Sequence, residues 1–176
     1  MAQGWQGSVY VKDSRIHGLG VFARRNFSEG ETVLVREERP VTAEQPLDEA
    51  RGEYQHHCDW LEGGRQVYLG FPERHFNHSC DANTFARLTP GGVREVVALR
   101  PVTRDEELTS NYSIDLWDGK AWECNCGSQR CLGLVPGDFF SLPLERQADL
   151  RRFLSQWFID EHAQEYEAFC ERAGLS

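Results

Sequence analysis

The chain has 176 residues and a formal net charge of −9 at pH 7, from 28 acidic and 19 basic side chains. Hydrophobic residues make up 40% and charged residues 27%, a composition typical of one folded domain with at most a small appendage. No apolar run approaches the roughly 20 residues that span a bilayer. The acidic charge argues against sequence-independent nucleic-acid binding and suits either a basic protein partner or solubility alone.

The N-terminal stretch, residues 1–10, lacks the basic start and apolar core of a secretory signal. We therefore expect an intracellular protein, cytoplasmic or nuclear, in a reducing compartment. In such a compartment clustered cysteines indicate metal or redox chemistry rather than disulfides.

Short β-strands separated by turns are predicted along the first part of the chain, where apolar and β-branched residues are bounded by Gly, Ser and Pro. The predicted strands cover residues 8–12, 21–23, 32–35, 84–88 and 93–99. Pro90, Gly91 and Gly92 predict a hairpin between the last two strands. The stretch 38–64 is polar and expected to be irregular, with a short helix over 54–61.

The C-terminal segment has a different pattern, because residues 144–173 contain neither Gly nor Pro. Apolar residues recur there at helical spacing, which predicts one long or two shorter amphipathic helices between Pro143 and Gly174. The stripe comprises Leu150, Phe153, Leu154, Trp157, Phe158, Tyr166, Phe169 and Cys170. We expect it to pack on the domain core, and a dimer seam is the alternative, so the protein is predicted to be a monomer or a homodimer through these helices.

Three of the six cysteines, Cys124, Cys126 and Cys131, fall within an eight-residue span. This spacing predicts a zinc site, which needs a fourth ligand from elsewhere, whereas unrelated buried thiols are the alternative. Cys80 is the best candidate for that ligand. The competing candidates are Cys58, Cys170, His56 and His57, and the first two are otherwise expected to be packing residues. Metal binding would stabilise a loop with too little apolar surface to fold alone.

Four segments occur in a fixed order along the chain: residues 18–23, 77–83, 106–112 and 124–133. Each is weak alone. Gly18 and Gly20 lack the third glycine and following helix of a dinucleotide fingerprint, and a tyrosine such as Tyr112 is most often a packing residue. Together the segments resemble the SET-domain protein-lysine methyltransferases with a post-SET zinc loop, over roughly residues 8–135.

The resemblance implies a mainly β fold of the SET-domain (β-clip) type with a pseudoknot. The implied division is a SET domain over 1–119 with an insert at about 39–70, a post-SET zinc loop over 120–136, and a C-terminal helical extension over 137–176 packing on the domain. The implied activity is S-adenosylmethionine-dependent protein-lysine N-methylation, on a lysine of a basic protein or peptide such as a histone. No direct nucleic-acid binding and no membrane association are expected.

The resemblance also assigns roles to particular residues. Tyr112 matches the catalytic tyrosine. The residues that match cofactor contacts are Gly18, Leu19, Gly20, Tyr54, Asn77, His78, Tyr112 and Leu132. The residues that match the ligands of a structural zinc ion are Cys80, Cys124, Cys126 and Cys131.

The sequence departs from the family pattern near Tyr112. Asp105 stands where Gly is usual, and Asn111 stands where Asp is usual. In the family, the residue two before the tyrosine is commonly Phe or Tyr and limits how many methyl groups are added. Ser110 occupies that position here, so di- or trimethylation is predicted to be sterically allowed, unless an aromatic such as Tyr68 refills the space.

Two other functions are considered beside the enzyme. The first is a catalytically weak SET-fold module that binds a peptide. The second is a zinc-stabilised structural protein that assembles through its C-terminal helices.

Overall fold

The structure is a computed structural model that describes residues 4–175. Residues 1–3 and residue 176 lie outside this range. The prediction that residues 1–10 are not a secretory signal therefore falls partly outside the described residues. The strands are β1 Val9–Asp13, β2 Leu19–Ala23, β3 Thr32–Val35, β4 Glu38–Pro40, β5 Cys58–Leu61, β6 Arg65–Leu69, β7 Asn77–His78, β8 Thr84–Leu88, β9 Arg94–Ala98, β10 Glu107–Ser110, β11 Trp122–Glu123 and β12 Leu134–Val135. The α-helices are α1 Leu144–Leu150, α2 Gln156–Glu161 and α3 Ala163–Ala173. The predicted mainly β fold is confirmed.

Two compact units divide the described residues. One unit contains the chain up to Asn77 together with Ala82–Ser110, and the other contains His78–Asp81 together with the chain from Asn111 onward. Within residues 4–175, the structure contains no helix whose length and apolar character would allow it to cross a membrane.

The first unit is built on antiparallel strands whose inward residues form its core. In β1 and β2, Val9 lies opposite Ala23 and Asp13 lies opposite Leu19, and β10 pairs with the other edge of β2. Asn77, the first residue of β7, follows β10 in the strand order. Val9, Ala23 and Leu108 are fully buried in this core, where their apolar surface is removed from water. The strands predicted near residues 8–12 and 21–23 are confirmed.

A second sheet in the same unit has the strand order β3-β9-β8. Thr84 lies opposite Ala98 and Leu88 lies opposite Arg94. The predicted hairpin is confirmed, and Gly92 with φ +77° supplies the left-handed residue of its turn. The β-branched residues of 32–35 form β3, as predicted.

The insert contains a third sheet, with the strand order β4-β6-β5. The predicted helix over 54–61 is wrong, because only Gln55–His57 forms a single 3-10 turn and Cys58–Leu61 is a strand. This strand pairs along its whole length with β6, Cys58 opposite Tyr68 and Leu61 opposite Arg65. A helix would forfeit those backbone hydrogen bonds. The prediction that 38–64 is irregular therefore fails for β4 and β5.

Histidine and aromatic rings cluster on this insert. The His57 ring lies 4.3 Å from the His56 ring and 6.2 Å from the His75 ring, between ring centroids, and Tyr68 is also near it. Burial, followed by the positive charges of His56, Arg74 and His75, lowers the pKa of His57 from 6.5 to about 4. The neutral imidazole is therefore the form that the folded insert favours.

Acid is expected to destabilise this unit through His57. Because the folded-state pKa lies below the unfolded value, the unfolded chain binds the proton first, so stability is lost as the pH falls from about 6.5 through 4. As the pH is lowered across this range, the melting temperature of the wild type should fall more steeply than that of His57→Gln. His17→Gln, at an exposed turn, is the control and should keep the wild-type slope. Equal slopes for wild type and His57→Gln would contradict the prediction.

The second unit combines a small hairpin with the helices. Trp122 lies opposite Val135 and Glu123 lies opposite Leu134, so β11 and β12 close the loop that carries Cys124, Cys126 and Cys131. Phe139, Phe158 and Phe169 are fully buried. The Phe139 ring lies 6.3 Å from the Phe158 ring and 6.2 Å from the Phe169 ring, in edge-to-face packing. Phe158 and Phe169 of the predicted stripe are therefore core residues of this unit.

The prediction of one long or two shorter helices is wrong in number, because α1, α2 and α3 are three α-helices and a 3-10 turn at Arg151–Phe153 follows α1. The chain leaves the helical path before α2 because the Ser155 N–H donates to Asp115 at 2.9 Å. His162, with φ −119° and ψ 39°, then separates α2 from α3. The predicted end is confirmed, since Gly174 follows α3 with φ +64°.

Candidate active site and metal centre

The side chain of one asparagine, Asn77, fixes the turn at Gly18. The side-chain amide of Asn77 donates to the main-chain oxygens of His17 and Leu19, each at 3.1 Å, and to Glu107 Oε1 at 2.9 Å. Gly18 adopts φ +45°, and a Cβ added there would meet no described atom within 4 Å. The outer face of this turn is therefore open to a ligand, while its inner face is fixed by Asn77.

Glu107 approaches Gly20 closely. A Cβ at Gly20 would lie 2.4 Å from Glu107 Oε1, far inside van der Waals contact. The same carboxylate accepts from Ser14 Oγ at 2.7 Å, and the Ser14 N–H donates to the Gly18 oxygen at 2.8 Å. Glu107, a residue of β10, thus helps to fix the turn through Ser14 and through the Asn77 side chain. No pattern in the sequence had indicated this role.

Four cysteine sulfurs come together in the second unit. The Sγ atoms of Cys80, Cys124, Cys126 and Cys131 all lie within 4.8 Å of one another, and those of Cys80 and Cys124 are 3.8 Å apart. Of the alternatives considered for the fourth position, Cys58, Cys170, His56 and His57 lie outside this group. The structure thus brings Cys80, the best candidate for the fourth ligand, together with the three closely spaced cysteines.

The sulfur positions fit a tetrahedral zinc ion. Zn–S bonds of about 2.3 Å place the four sulfurs about 3.8 Å apart, which is the separation of the Cys80 and Cys124 sulfurs. Burial raises the pKa of the Cys80 thiol and of the Cys124 thiol. Buried thiols so close together gain from a cation that takes the place of their protons. Gly127 and Gly133, with φ of +71° and +70°, give the loop its tight turns.

His78 connects the cysteine group to Tyr112. Its Nδ1 atom accepts from the Tyr112 main-chain N–H at 3.0 Å, and its Nε2 atom lies 3.4 Å from Cys80 Sγ. Burial lowers the pKa of His78 to about 4, so the ring is neutral at pH 7. Because Nδ1 accepts, the proton of the neutral ring belongs on Nε2, where it points to the sulfur.

Tyr112 lies in the turn that follows β10. The residue is 48% exposed, and its ring centroid lies 5.4 Å from the His78 ring. Asn111 shapes this turn, since its side-chain oxygen accepts from the Ser113 N–H at 2.9 Å. The Asn that replaces the usual Asp therefore still serves as a local acceptor.

The other predicted site residues are placed as follows. Tyr54 begins the 3-10 turn of the insert and stacks on the His56 ring at 5.4 Å. Leu132 packs against both the cysteine group and the Phe139–Phe158 core. Ser110 is half-buried, and its hydroxyl lies 3.5 Å from that of Thr84. The Tyr68 hydroxyl is hydrogen-bonded by Arg74.

This chain belongs to the SET-domain family, since the profile of that family, described as "SET domain", matches residues 18–113. Histone-lysine N-methyltransferase 2B of Homo sapiens is 34% identical to it over 137 residues, which cover 70% of this chain and 5% of the relative.

Two further proteins are similar to part of the chain. Histone-lysine N-methyltransferase SET9 of Phaeosphaeria nodorum is 32% identical over 116 residues, 62% of this chain and 17% of the relative. A solved structure of a Plasmodium falciparum protein aligns with a TM-score of 0.48 and 17% identity, over 60% of this chain and 92% of that one. The chain thus spans only a small part of the two named methyltransferases.

Proposed function

We propose that this chain is an S-adenosylmethionine-dependent protein-lysine N-methyltransferase with Tyr112 as its catalytic residue. The observation that carries the proposal is the fixation of Tyr112 by His78 beside the four-cysteine group, in a chain that belongs to the SET-domain family. Family membership supports the reaction class, and the accessible tyrosine supports the chemistry.

S-adenosylmethionine, when bound, supplies a methyl group on a positively charged sulfur. A lysine amine has a pKa of about 10.4, so it must lose a proton before it can attack that carbon. The phenol of Tyr112 is proposed to orient the neutral amine in line with the methyl group. His78 holds the Tyr112 main chain and thereby fixes where the phenol stands.

The residues proposed to contact the cofactor are those that the family resemblance assigns: Gly18, Leu19, Gly20, Tyr54, Asn77, His78, Tyr112 and Leu132. The Asn77 amide already has three protein acceptors. We therefore assign its cofactor contact to the main chain and give the side chain the task of shaping the Gly18 turn. The open face at Gly18 supports an approach of the ligand to the backbone there.

The four cysteines are proposed to bind one structural Zn²⁺ ion, with Cys80, Cys124, Cys126 and Cys131 as its ligands. The mutual separation of the sulfurs supports this set. The metal would stabilise the hairpin of β11 and β12 and keep Cys80 beside His78. It takes no part in the transfer itself.

A basic protein is the proposed substrate, and the names of the two related methyltransferases make a histone the first to test. The net charge of −9 supports attraction to a lysine-rich segment. With Ser110 in place of an aromatic residue, we propose that products up to trimethyl-lysine form. Mass spectrometry that finds only monomethyl-lysine would contradict this part.

The test is transfer of a labelled methyl group from S-adenosylmethionine to histones and to a proteome extract, combined with calorimetric titration of the cofactor. Label on lysine supports the enzyme. Cofactor binding without transfer, or peptide binding without cofactor binding, would instead favour the SET-fold peptide-binding module.

Two substitutions at His78 are expected to distinguish the effect of its hydrogen bond with Tyr112 from that of its contact with Cys80. His78→Leu removes the acceptor for the Tyr112 N–H and should lower methyl transfer about 5- to 150-fold, since a lost buried hydrogen bond costs about 1–3 kcal/mol. In His78→Asn the side-chain oxygen takes the place of Nδ1, so activity should fall less. Zinc content, measured in both, should stay near the wild-type value. Equal activity of the two variants would contradict this role.

A further inference from the structure

We infer that Asp115 and Ser155 are positioning residues for Tyr112, so that the C-terminal helical segment contributes to the alignment of this residue through Ser155. The inference rests on the proposed function, because it assigns to Tyr112 a reaction that must be aligned. It concerns residues outside the matched SET-domain profile, which ends at residue 113.

The central contact joins two residues that are 40 positions apart in the chain. The Asp115 carboxylate accepts the Ser155 N–H at 2.9 Å and the Ser155 hydroxyl at 2.5 Å. Asp115 adopts φ +57°, a left-handed conformation that residues other than Gly seldom adopt. The two hydrogen bonds hold this conformation, which turns the chain three residues after Tyr112.

Three backbone hydrogen bonds also hold the same loop. The Phe139 N–H donates to the Leu116 oxygen at 2.9 Å. The Asp118 and Gly119 N–H groups donate to the Gly137 oxygen at 2.9 and 2.8 Å. The loop over residues 113–119 is thus bound by the segment that leads into the helices, in addition to Ser155.

The residues that hold the loop are themselves fixed in a packed core. Ser155 immediately precedes α2, whose Phe158 is fully buried against Phe139. The Trp117 ring of the loop lies 4.3 Å from the His162 ring, between centroids, at the end of α2. A close-packed aromatic core has few alternative arrangements, so the loop is held by a rigid partner.

Tyr112 is therefore held on both of its sides within this unit. His78 binds its main-chain N–H, and three residues later Asp115 fixes the path of the chain. Between them, Ser113 is buried, and the Ile114 N–H donates to the Asn111 oxygen at 3.4 Å. Loss of the Asp115 contact would let the turn relax and move the phenol, while the cysteine group keeps its own contacts.

The experiment compares Asp115→Ala, Asp115→Asn and Ser155→Ala in the full chain. Asp160→Ala is the matched control, because Asp160 lies on α2 and its side chain receives an exposed hydrogen bond from Gln156. For each variant we would measure hydrogen–deuterium exchange of the peptide covering 111–119, zinc content, and the kcat and KM of methyl transfer.

Asp115→Ala should speed exchange in 111–119 and lower kcat at least tenfold, with KM for S-adenosylmethionine within twofold of wild type and zinc retained. Asp115→Asn keeps an acceptor oxygen and tolerates positive φ, so it should restore most of kcat. Ser155→Ala, which removes only the hydroxyl bond, should give a smaller change in the same direction. Asp160→Ala should match the wild type in all four measurements.

Unchanged exchange in Asp115→Ala would overturn the inference, and so would faster exchange with wild-type kcat. Faster exchange throughout the chain, with a matching loss in every activity parameter, would mean a purely structural role and would also overturn it. A wild-type protein that transfers no methyl group would refute the proposed function, and the inference with it. That result is distinct from an active wild type whose Asp115→Ala variant is equally active.

Discussion

Replacing Tyr112 with phenylalanine is expected to reduce methyl transfer by about two to three orders of magnitude while leaving the fold intact. Loss of one aligned hydrogen-bonding group at a reacting centre has an effect of that size. The fold should survive because the residue is 48% exposed and its contact to His78 is made by the main-chain N–H, which the substitution keeps. Initial rates with labelled cofactor, together with the melting temperature, provide the measurement.

Tyr10→Phe is the matched control for this result. The Tyr10 hydroxyl donates to Asp105 at 2.8 Å at the surface, so its removal deletes one phenol oxygen away from the proposed chemistry. We expect wild-type rates from this variant. A Tyr112→Phe protein that transfers methyl at near the wild-type rate would refute the catalytic assignment, whatever the control shows.

Replacing Cys80 with serine is expected to release the bound metal and disorder the loop of Cys124, Cys126 and Cys131. Three remaining thiolates hold zinc far more weakly than four, and structural zinc contributes much of the folding free energy of loops that lack an apolar core. Purified wild type should contain one zinc ion per chain, and the variant at most about a tenth of that. Elemental analysis and the melting temperature, with and without a chelator, measure the effect.

The chain supplies two internal controls for this experiment. Cys58 and Cys170 are free thiols outside the four-sulfur group. Cys58→Ser and Cys170→Ser should each retain a full complement of zinc. If either lost zinc as completely as Cys80→Ser, or if Cys80→Ser kept it, the ligand set proposed here would be incorrect.

Local sequence patterns were sufficient for the strands near the Gly18 turn and for the hairpin of β8 and β9. Alternating β-branched residues favour strands wherever one face is buried, and the run of Pro90, Gly91 and Gly92 permits little except a turn. The insert was harder to predict because its polar residues show no period. Cys58–Leu61 is a strand only because β6 lies beside it, which is a tertiary effect.

In the candidate site, too, the features set by local sequence were predicted and those set by tertiary contacts were not. The spacing of Cys124, Cys126 and Cys131 is local and predicted a shared metal ion. Cys80 lies 44 positions before Cys124, so from the residues alone it was only the best of several candidates for the fourth ligand. The hydrogen bond between His78 and Tyr112 spans 34 positions and leaves no periodic signal. The Asp115–Ser155 contact is equally remote, and it is also the reason that the helix prediction failed at Ser155.

The filled space above Gly20 has a consequence for the evolution of this chain. The Glu107 carboxylate occupies the volume that a side chain at position 20 would need, and it also binds Ser14 and Asn77. A larger residue at position 20 would therefore require this carboxylate to move and to give up those hydrogen bonds. Substitutions at positions 14, 20, 77 and 107 are consequently expected to be coupled, so that alanine at 20 is better tolerated beside a shorter residue at 107, such as aspartate.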